Sequence, residues 1–261
     1  MAADFLSDVI VLIPARLGSS RFPNKPLVSI LGLPMIGHVL LRSQASGAGV
    51  VAVATCDIEI REFVESIGGR AVMTGDHHER ASDRCAEALL RVEAEDGRTY
   101  SHVVMVQGDE PMLHPEMIAE ALAPLQADDS VLVTNLLGRI DTDVEFRDPS
   151  CIKVVCNTVG DALFMTRQPV PTGGPIADPC NGKQVCIMGF RREALIRYAA
   201  LAPTPLEEAE SVDMLRFMEH GIPIRMAATD HRTHAVDTPD DVFIVEAALS
   251  GDPLTDQLLK R

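Results

Sequence analysis

The first half of the chain alternates short apolar runs with amphipathic segments. Residues 9–14, 50–55, 70–73, 102–106 and 131–135 form apolar runs of the length typical of buried parallel strands. Between them, residues 34–46, 57–68, 83–94 and 115–124 predict helices, the second of them with Asp57 as its N-cap. Strands that alternate with helices at this spacing predict an α/β fold with a mostly parallel sheet and helices on its faces.

The pattern changes near residue 150. Residues 152–157, 161–166 and 185–190 predict closely spaced strands, and a Pro- and Gly-rich segment occupies residues 168–182. We interpret residues 150–190 as a smaller antiparallel lobe, for acceptor binding or dimerisation, within a single domain that spans residues 1–261. Helices at 191–200 and 205–219, a strand at 223–228 and a helix from Pro239 complete the prediction.

Charge and composition argue against nucleic acid as a partner. The formal net charge is −15, whereas binding to a nucleic-acid backbone needs a basic surface. Aromatic residues make up 4% of the 261 residues and Trp is absent, which argues against stacking on single-stranded nucleic acid.

No apolar run reaches the roughly 18 residues of a membrane span, and no basic signal-peptide region is present. The six cysteines show no C-x-x-C spacing, so we expect reduced thiols in a cytoplasmic protein.

The loop after the first predicted strand is the first candidate site. Ligands of open α/β sheets bind beyond the carboxyl ends of the strands. This loop places Arg16, Arg21 and Lys25 close together in an acidic chain, and Gly18 and Ser19 offer backbone N–H groups to phosphate oxygens. It matches neither the G-x-G-x-x-G fingerprint nor the P-loop. A solvated basic loop is the alternative that the pattern alone leaves open.

Two carboxylates follow predicted strands in distant parts of the chain. Asp109 lies just after residues 102–106, and Asp237 lies between a strand and a helix. Mg²⁺ bound to a triphosphate uses one or two protein carboxylates together with phosphate oxygens. A surface turn for Asp109 and a plain helix N-cap for Asp237 remain alternatives.

Several ordered motifs resemble those of the sugar-acid cytidylyltransferases, above all the 3-deoxy-manno-octulosonate (Kdo) cytidylyltransferases. The likeness extends from Val9 to about Val245. The segments that carry it are residues 14–27, 73–74, 82–84, 106–111, 152–155, 166–167, 204–207, 215–216 and 236–239. The resemblance implies a Rossmann-like, GT-A-like nucleotidyltransferase sheet, the transfer of CMP from CTP to a small acidic acceptor, and a homodimer.

The resemblance also implies roles for individual residues in CTP binding and catalysis. Mg²⁺ is the implied cofactor, with Asp109 and Asp237 as its ligands. Ser82 and Arg84 occupy the stretch of the family that reads the base. The implied catalytic residues are Arg16, Lys25, Asp109 and Asp237, and the implied contacts of the triphosphate are Ala15, Arg16, Gly18, Ser19, Arg21 and Lys25.

The likeness is weaker in the predicted acceptor site. Arg167 matches the arginine that grips the acceptor carboxylate, and Gln107 would contact acceptor hydroxyls. The family has His, Tyr and Gln where this chain has Gln184, Met188 and Met214, the last of these next to Asp213. These changes remove groups that would bind sugar hydroxyls.

Several acceptors and functions therefore remain open at this point. A Kdo-like ulosonic acid is the main prediction for the acceptor, and a small phosphonate is the alternative. A non-catalytic nucleotide-binding regulator is the rival from another class. A sugar-modifying oxidoreductase would need the dinucleotide fingerprint, which the chain lacks.

Overall fold

The computed structural model describes residues 6–18, 22–174 and 181–260. Its backbone contacts divide the chain into two compact units. The first unit comprises Met1–Glu116 and Arg232–Arg261, and the second comprises Met117–His231. The single domain expected over residues 1–261 remains a prediction.

The first unit contains a parallel sheet of four strands. Strand β1 (Val9–Ala15) lies inside this sheet and is buried along all seven residues, as its apolar sequence predicts. Leu12 on this strand lies opposite Ala52 on one side and Met105 on the other. The order in the sheet is β6-β1-β4-β5, and β2 and β3 form a small separate hairpin. The strands are β1 (Val9–Ala15), β2 (Ser29–Ile30), β3 (Leu33–Pro34), β4 (Val50–Thr55), β5 (Arg70–Met73) and β6 (His102–Val106).

Three helices connect these strands. They are α1 (Met35–Gln44), α2 (Ile58–Ser66) and α3 (Ala81–Asp96). Asp57 precedes α2 in extended backbone, but its side chain does not cap the helix. The carboxylate instead accepts the backbone N–H of Leu17 at 2.8 Å. Asp57 is therefore the N-cap residue of α2, as predicted, but its carboxylate binds the loop after β1 and makes no capping hydrogen bond.

The second unit combines parallel and antiparallel pairing. Strand β7 pairs with β11 in parallel and with β10 in antiparallel orientation. Strands β8, β9 and β10 pair antiparallel, in the region where closely spaced strands were predicted. The bounds are β7 (Val133–Gly138), β8 (Lys153–Cys156), β9 (Ala162–Thr166), β10 (Asn181–Arg191) and β11 (Arg225–Ala228).

Five short helices accompany these strands. They are α4 (Glu116–Ala127), α5 (Asp143–Arg147), α6 (Arg192–Ala200), α7 (Pro205–Glu210) and α8 (Met214–Glu219). The single helix predicted over residues 205–219 is wrong. Ser211 ends α7 in the left-handed conformation with φ 53°, and a helix cannot continue through such a residue.

The chain ends in the first unit with α9 (Pro239–Leu249) and α10 (Pro253–Leu258). The buried Arg42 of α1 holds the start of α10. Its guanidinium donates to Asp252 Oδ2 at 2.5 Å and to the main-chain carbonyl of Leu113 at 3.2 Å. Asp252 Oδ2 also accepts the N–H of Thr255, so one carboxylate joins two helices.

This carboxylate makes stability depend on pH. Burial alone would raise the pKa of Asp252. The hydrogen bonds from Thr255 and Arg42 and the charge of Arg42 have the larger, opposite effect, so the pKa lies below its ordinary value. Its contribution to stability is complete above the unfolded value of about 3.9 and is lost as the pH falls through the lower folded pKa. We expect Asp252→Asn to be less stable than the wild type at neutral pH. The difference should shrink below about pH 4 in urea unfolding curves. An equal difference at pH 3 and pH 7 would contradict this assignment.

Candidate active site

The loop after β1 begins with the exposed Arg16. Its guanidinium lies 3.4 Å from the main-chain carbonyl of His78. The backbone N–H of the next residue, Leu17, donates a hydrogen bond to the carboxylate of Asp57. Gly18 is exposed, and a Cβ added there would meet nothing within 4 Å. The predicted contacts Ser19 and Arg21 lie outside the described residues.

The loop returns to the sheet at Lys25. Residues Lys25–Leu27 form a 3-10 turn. The ammonium group of Lys25 lies 2.7 Å from Asp109 Oδ2 and 3.4 Å from Asp237 Oδ1. Three residues predicted to act together are thus in direct contact, although 84 and 212 positions separate the carboxylates from Lys25.

The Lys25 ammonium is firmly charged in this arrangement. Burial alone would lower its pKa, but the charges and hydrogen bonds of Asp109 and Asp237 raise it above its ordinary value. The three side chains are 14%, 21% and 21% exposed, so water screens the attraction only in part. The pair of carboxylates therefore forms a site that holds a cation.

Strand β6 and the turn after it fix Asp109. A Cβ on Gly108 would lie 2.8 Å from the main-chain oxygen of Pro14, so only glycine lets this turn approach β1 so closely. The carbonyl of Asp109 accepts the N–H of Val236 at 3.0 Å. Because Val236 directly precedes Asp237, this bond connects the backbone segments that carry the two carboxylates.

A capping box fixes Asp237. Thr238 is the N-cap of α9 and Asp241 is its reciprocal partner, so the plain N-cap alternative for Asp237 is wrong. Asp241 Oδ2 accepts the N–H groups of Asp237 and Thr238, and Asp241 Oδ1 lies 2.7 Å from His234 Nε2. Burial raises the pKa of Asp241, but these hydrogen bonds lower it more. Asp241 therefore stays ionised and orients the backbone of Asp237.

The donor set at this cation site fits Mg²⁺. Its oxygens belong to two carboxylates, which are hard ligands, and no imidazole or thiol is among them. The Lys25 ammonium lies at a position where Asp109 and Asp237 both attract a positive charge. Asp109 and Asp237 are therefore the residues that could hold a magnesium ion.

The stretch predicted to read the base starts α3. Ser82 and Arg84 are both buried. The guanidinium of Arg84 donates to Thr74 Oγ1 at 2.5 Å and to the carbonyls of Gly75 and His78 at 3.3 and 3.4 Å. Arg84 and Arg16 thus share the carbonyl of His78, and both hold the loop between β5 and α3.

Arg167 follows β9 in the second unit. Its N–H donates to the carboxylate of Glu210 at 2.8 Å, and its Nε donates to the main-chain oxygen of the same residue at 2.8 Å. The guanidinium also donates to the carbonyl of Pro149 at 2.9 Å. Backbone oxygens therefore orient the fork that was predicted to bind the acceptor carboxylate.

The remaining acceptor candidates of this unit divide into two groups. Gln184 Nε2 donates to Asn135 Oδ1 at 2.7 Å, and Met188 lies opposite Asn135 in the pairing of β10 with β7. Met214 is fully buried in the first turn of α8, and Asp213 precedes that helix. Gln107 belongs to the first unit, where its carbonyl accepts the N–H of Glu110 at 3.2 Å.

Sequence reasoning missed the residues that position this site. Asn135 is a fully buried amide in an apolar strand, and a polar residue inside such a run was a usable signal. Asp241 gave a capping-box signal three residues after Thr238. Asp57 was marked only as an N-cap and Glu210 was not marked at all, because their partners Leu17 and Arg167 lie 40 and 43 residues away.

The chain belongs to the cytidylyltransferase family, which matches it over residues 10–225. Among curated relatives, the 3-deoxy-manno-octulosonate cytidylyltransferase of Geobacter metallireducens is 40% identical over 254 residues, which cover 93% of this chain and 98% of the relative. The enzyme of the same name from Rhodopseudomonas palustris is 41% identical over 244 residues, which cover 92% and 97%.

Solved structures confirm the α/β fold class with its mostly parallel sheet. A CMP:2-keto-3-deoxy-manno-octonic acid synthetase complexed with CTP superimposes with a TM-score of 0.83 at 37% identity, over 94% of this chain and 99% of its own. A cytidylyltransferase from Leptospira borgpetersenii, 15% identical with a TM-score of 0.61 over 97% of this chain and 92% of its own, shares the fold. In the part of the chain that the structure describes, every helix is too short or too polar to cross a membrane.

Proposed function

We propose that the chain transfers CMP from CTP to 3-deoxy-manno-octulosonate or a close ulosonic acid and releases pyrophosphate. The observation that carries this proposal is the contact of Lys25 with Asp109 and Asp237 in a chain of the cytidylyltransferase family. A non-catalytic nucleotide-binding protein would have no need to keep these three residues together. The names of the relatives support the acceptor.

In the proposed reaction, an acceptor oxygen attacks the α-phosphorus of CTP and pyrophosphate leaves on the opposite side. The protein contributes mainly position and charge. Arg16 and Lys25 would bind the triphosphate, and Lys25 would stabilise the charge of the leaving pyrophosphate. Mg²⁺ held by Asp109 and Asp237 would supply charge neutralisation at the phosphate oxygens when bound.

The acceptor half of the proposal rests on Arg167. Its planar guanidinium suits a carboxylate, and its orientation by Glu210 and Pro149 is consistent with a fixed anion site. A small phosphonate would also offer an anion to Arg167. Because it lacks the hydroxyls of a sugar, it would not need the polar groups that Gln184, Met188 and Met214 replace. The relatives favour the ulosonic acid.

We also propose a cytoplasmic homodimer. Cys56 and Cys151 are free thiols, which suits a reducing compartment. Val159 and Leu163, beside and on β9, are more than 60% exposed, and apolar side chains so placed favour a contact between subunits.

The test is a panel of pyrophosphate-release assays with purified chain and Mg²⁺. CTP, UTP and ATP are each combined with Kdo, a sialic-type acid and a small phosphonate. We expect release only with CTP, and fastest with Kdo. The same panel with Mg²⁺ replaced by EDTA is the control for metal dependence.

Each result separates one part of the proposal from another. Turnover of the phosphonate in preference to Kdo would keep the cytidylyl transfer and replace the acceptor. Rapid release from UTP or ATP would contradict the nucleotide assignment. CTP binding without turnover of any acid would favour the non-catalytic rival.

A further inference from the structure

The loop between β5 and α3 carries two adjacent histidines that face a glutamate of α3. The ligand atoms of His77, His78 and Glu87 lie within 4.8 Å of one another. His78 Nε2 contacts Glu87 Oε2 directly, and the two imidazole rings lie 4.2 Å apart between centroids. None of these three residues contacts the carboxylates Asp109 or Asp237 in the interactions described above.

Two hydrogen bonds fix Glu87, one from a backbone N–H and one from a side chain. Its Oε2 accepts the N–H of Gly75 at 3.0 Å, and its Oε1 accepts from Arg91 Nε at 2.8 Å. A Cβ on Gly75 would lie 2.3 Å from Cε1 and 2.5 Å from Nδ1 of His77. Only glycine therefore lets the His77 ring lie against this turn.

We propose that His77, His78 and Glu87 form a binding site for a divalent transition-metal ion. Two imidazoles and one carboxylate suit Zn²⁺, Ni²⁺ or Fe²⁺, whereas Mg²⁺ prefers oxygen ligands alone. Metal–ligand bonds of about 2.0–2.2 Å require ligand atoms about 3.3 Å apart in a tetrahedral site. The proposal therefore requires the exposed His77 to leave its present rotamer against Gly75 and move its ring towards His78 and Glu87.

The charge of the cluster suits a cation. Burial raises the pKa of Glu87, but the N–H of Gly75 and the side chains of His78 and Arg91 lower it to about 2. The carboxylate is therefore ionised at neutral pH, where its charge attracts a cation. Binding would replace the His78–Glu87 hydrogen bond with a metal bond to each residue, and the neutral His78 would then carry its proton on Nδ1 and bind through Nε2.

Calorimetric titration of the untagged full-length chain with Ni²⁺ tests this site. Saturating Mg²⁺ keeps the pair Asp109 and Asp237 occupied by a harder ion, and neither CTP nor acceptor is present. Failure of the proposed enzymatic function is therefore distinguishable from failure of this site. We expect one Ni²⁺ per chain, and His77→Asn and Glu87→Gln should each weaken its binding at least tenfold.

Two further measurements locate the ion. His220 is an exposed histidine outside the cluster of His77, His78 and Glu87, and its Nε2 lies 3.1 Å from the main-chain oxygen of Ala202, so His220→Asn is the matched control and should bind Ni²⁺ like the wild type. The side-chain ¹H–¹⁵N signals of His77 and His78, assigned through the variants, should shift or broaden at one equivalent. Unchanged signals, wild-type affinity in His77→Asn, or a loss of binding in His220→Asn would overturn the proposal.

Discussion

Asp109→Asn should lower kcat by about 10³-fold, equivalent to about 4 kcal/mol of transition-state stabilisation. Asparagine keeps the volume of the side chain but removes the charge that attracts Lys25 and would bind Mg²⁺. The backbone bonds of Asp109 to Val236 and the close approach of Gly108 to β1 do not depend on that charge. The fold should therefore survive, and thermal unfolding should show it.

The measurement is steady-state pyrophosphate release over a range of Mg²⁺ concentrations. We expect the Mg²⁺ requirement of Asp109→Asn to rise together with the loss of kcat. Asp240→Asn is the matched control, because Asp240 is an exposed carboxylate in the first turn of α9, near Asp237. If Asp109→Asn kept more than a tenth of wild-type kcat with unchanged Mg²⁺ dependence, the metal assignment would be wrong.

Much of the first sheet could be predicted from the sequence. The bounds predicted for β4, β5 and β6 are those of the structure, because each strand is a short apolar run with polar or glycine residues at its ends. Strand β10 begins at Asn181, four residues before the predicted start, since its polar first residues pair with β8 through their backbones. Periodicity does not report such pairing.

The candidate site shows a similar division. The types of Lys25, Asp109 and Asp237 and their positions after strands were visible in the sequence, and the resemblance supplied their roles. Their contact was not visible, because it depends on the return of the chain to the first unit after residue 231. The orientation of Asp237 by Asp241, and of Gln184 by Asn135, likewise needs coordinates, since a hydrogen bond has no sequence period.

Glu207→Gln should lower the free energy of unfolding by about 3–5 kcal/mol. Glu207 is fully buried, and its two oxygens accept from Arg216 Nε at 2.7 Å and from the Arg216 terminal nitrogen at 2.6 Å. The guanidinium also lies 4.2 Å above the ring centre of Tyr198. Glutamine cannot neutralise Arg216, so the variant leaves a buried cation without its counter-charge. Urea unfolding followed by circular dichroism measures the difference.

A surface ion pair supplies the matched control for this loss. Arg70 lies 2.7 Å from Glu95, whose side chain is 61% exposed, and Glu95→Gln should cost less than about 1 kcal/mol. Combining Glu207→Leu with Arg216→Met should recover stability relative to Glu207→Gln, since packed apolar side chains replace both charges. A loss in Glu207→Gln as small as that in Glu95→Gln would show that the buried charge of Arg216 is compensated by groups other than Glu207.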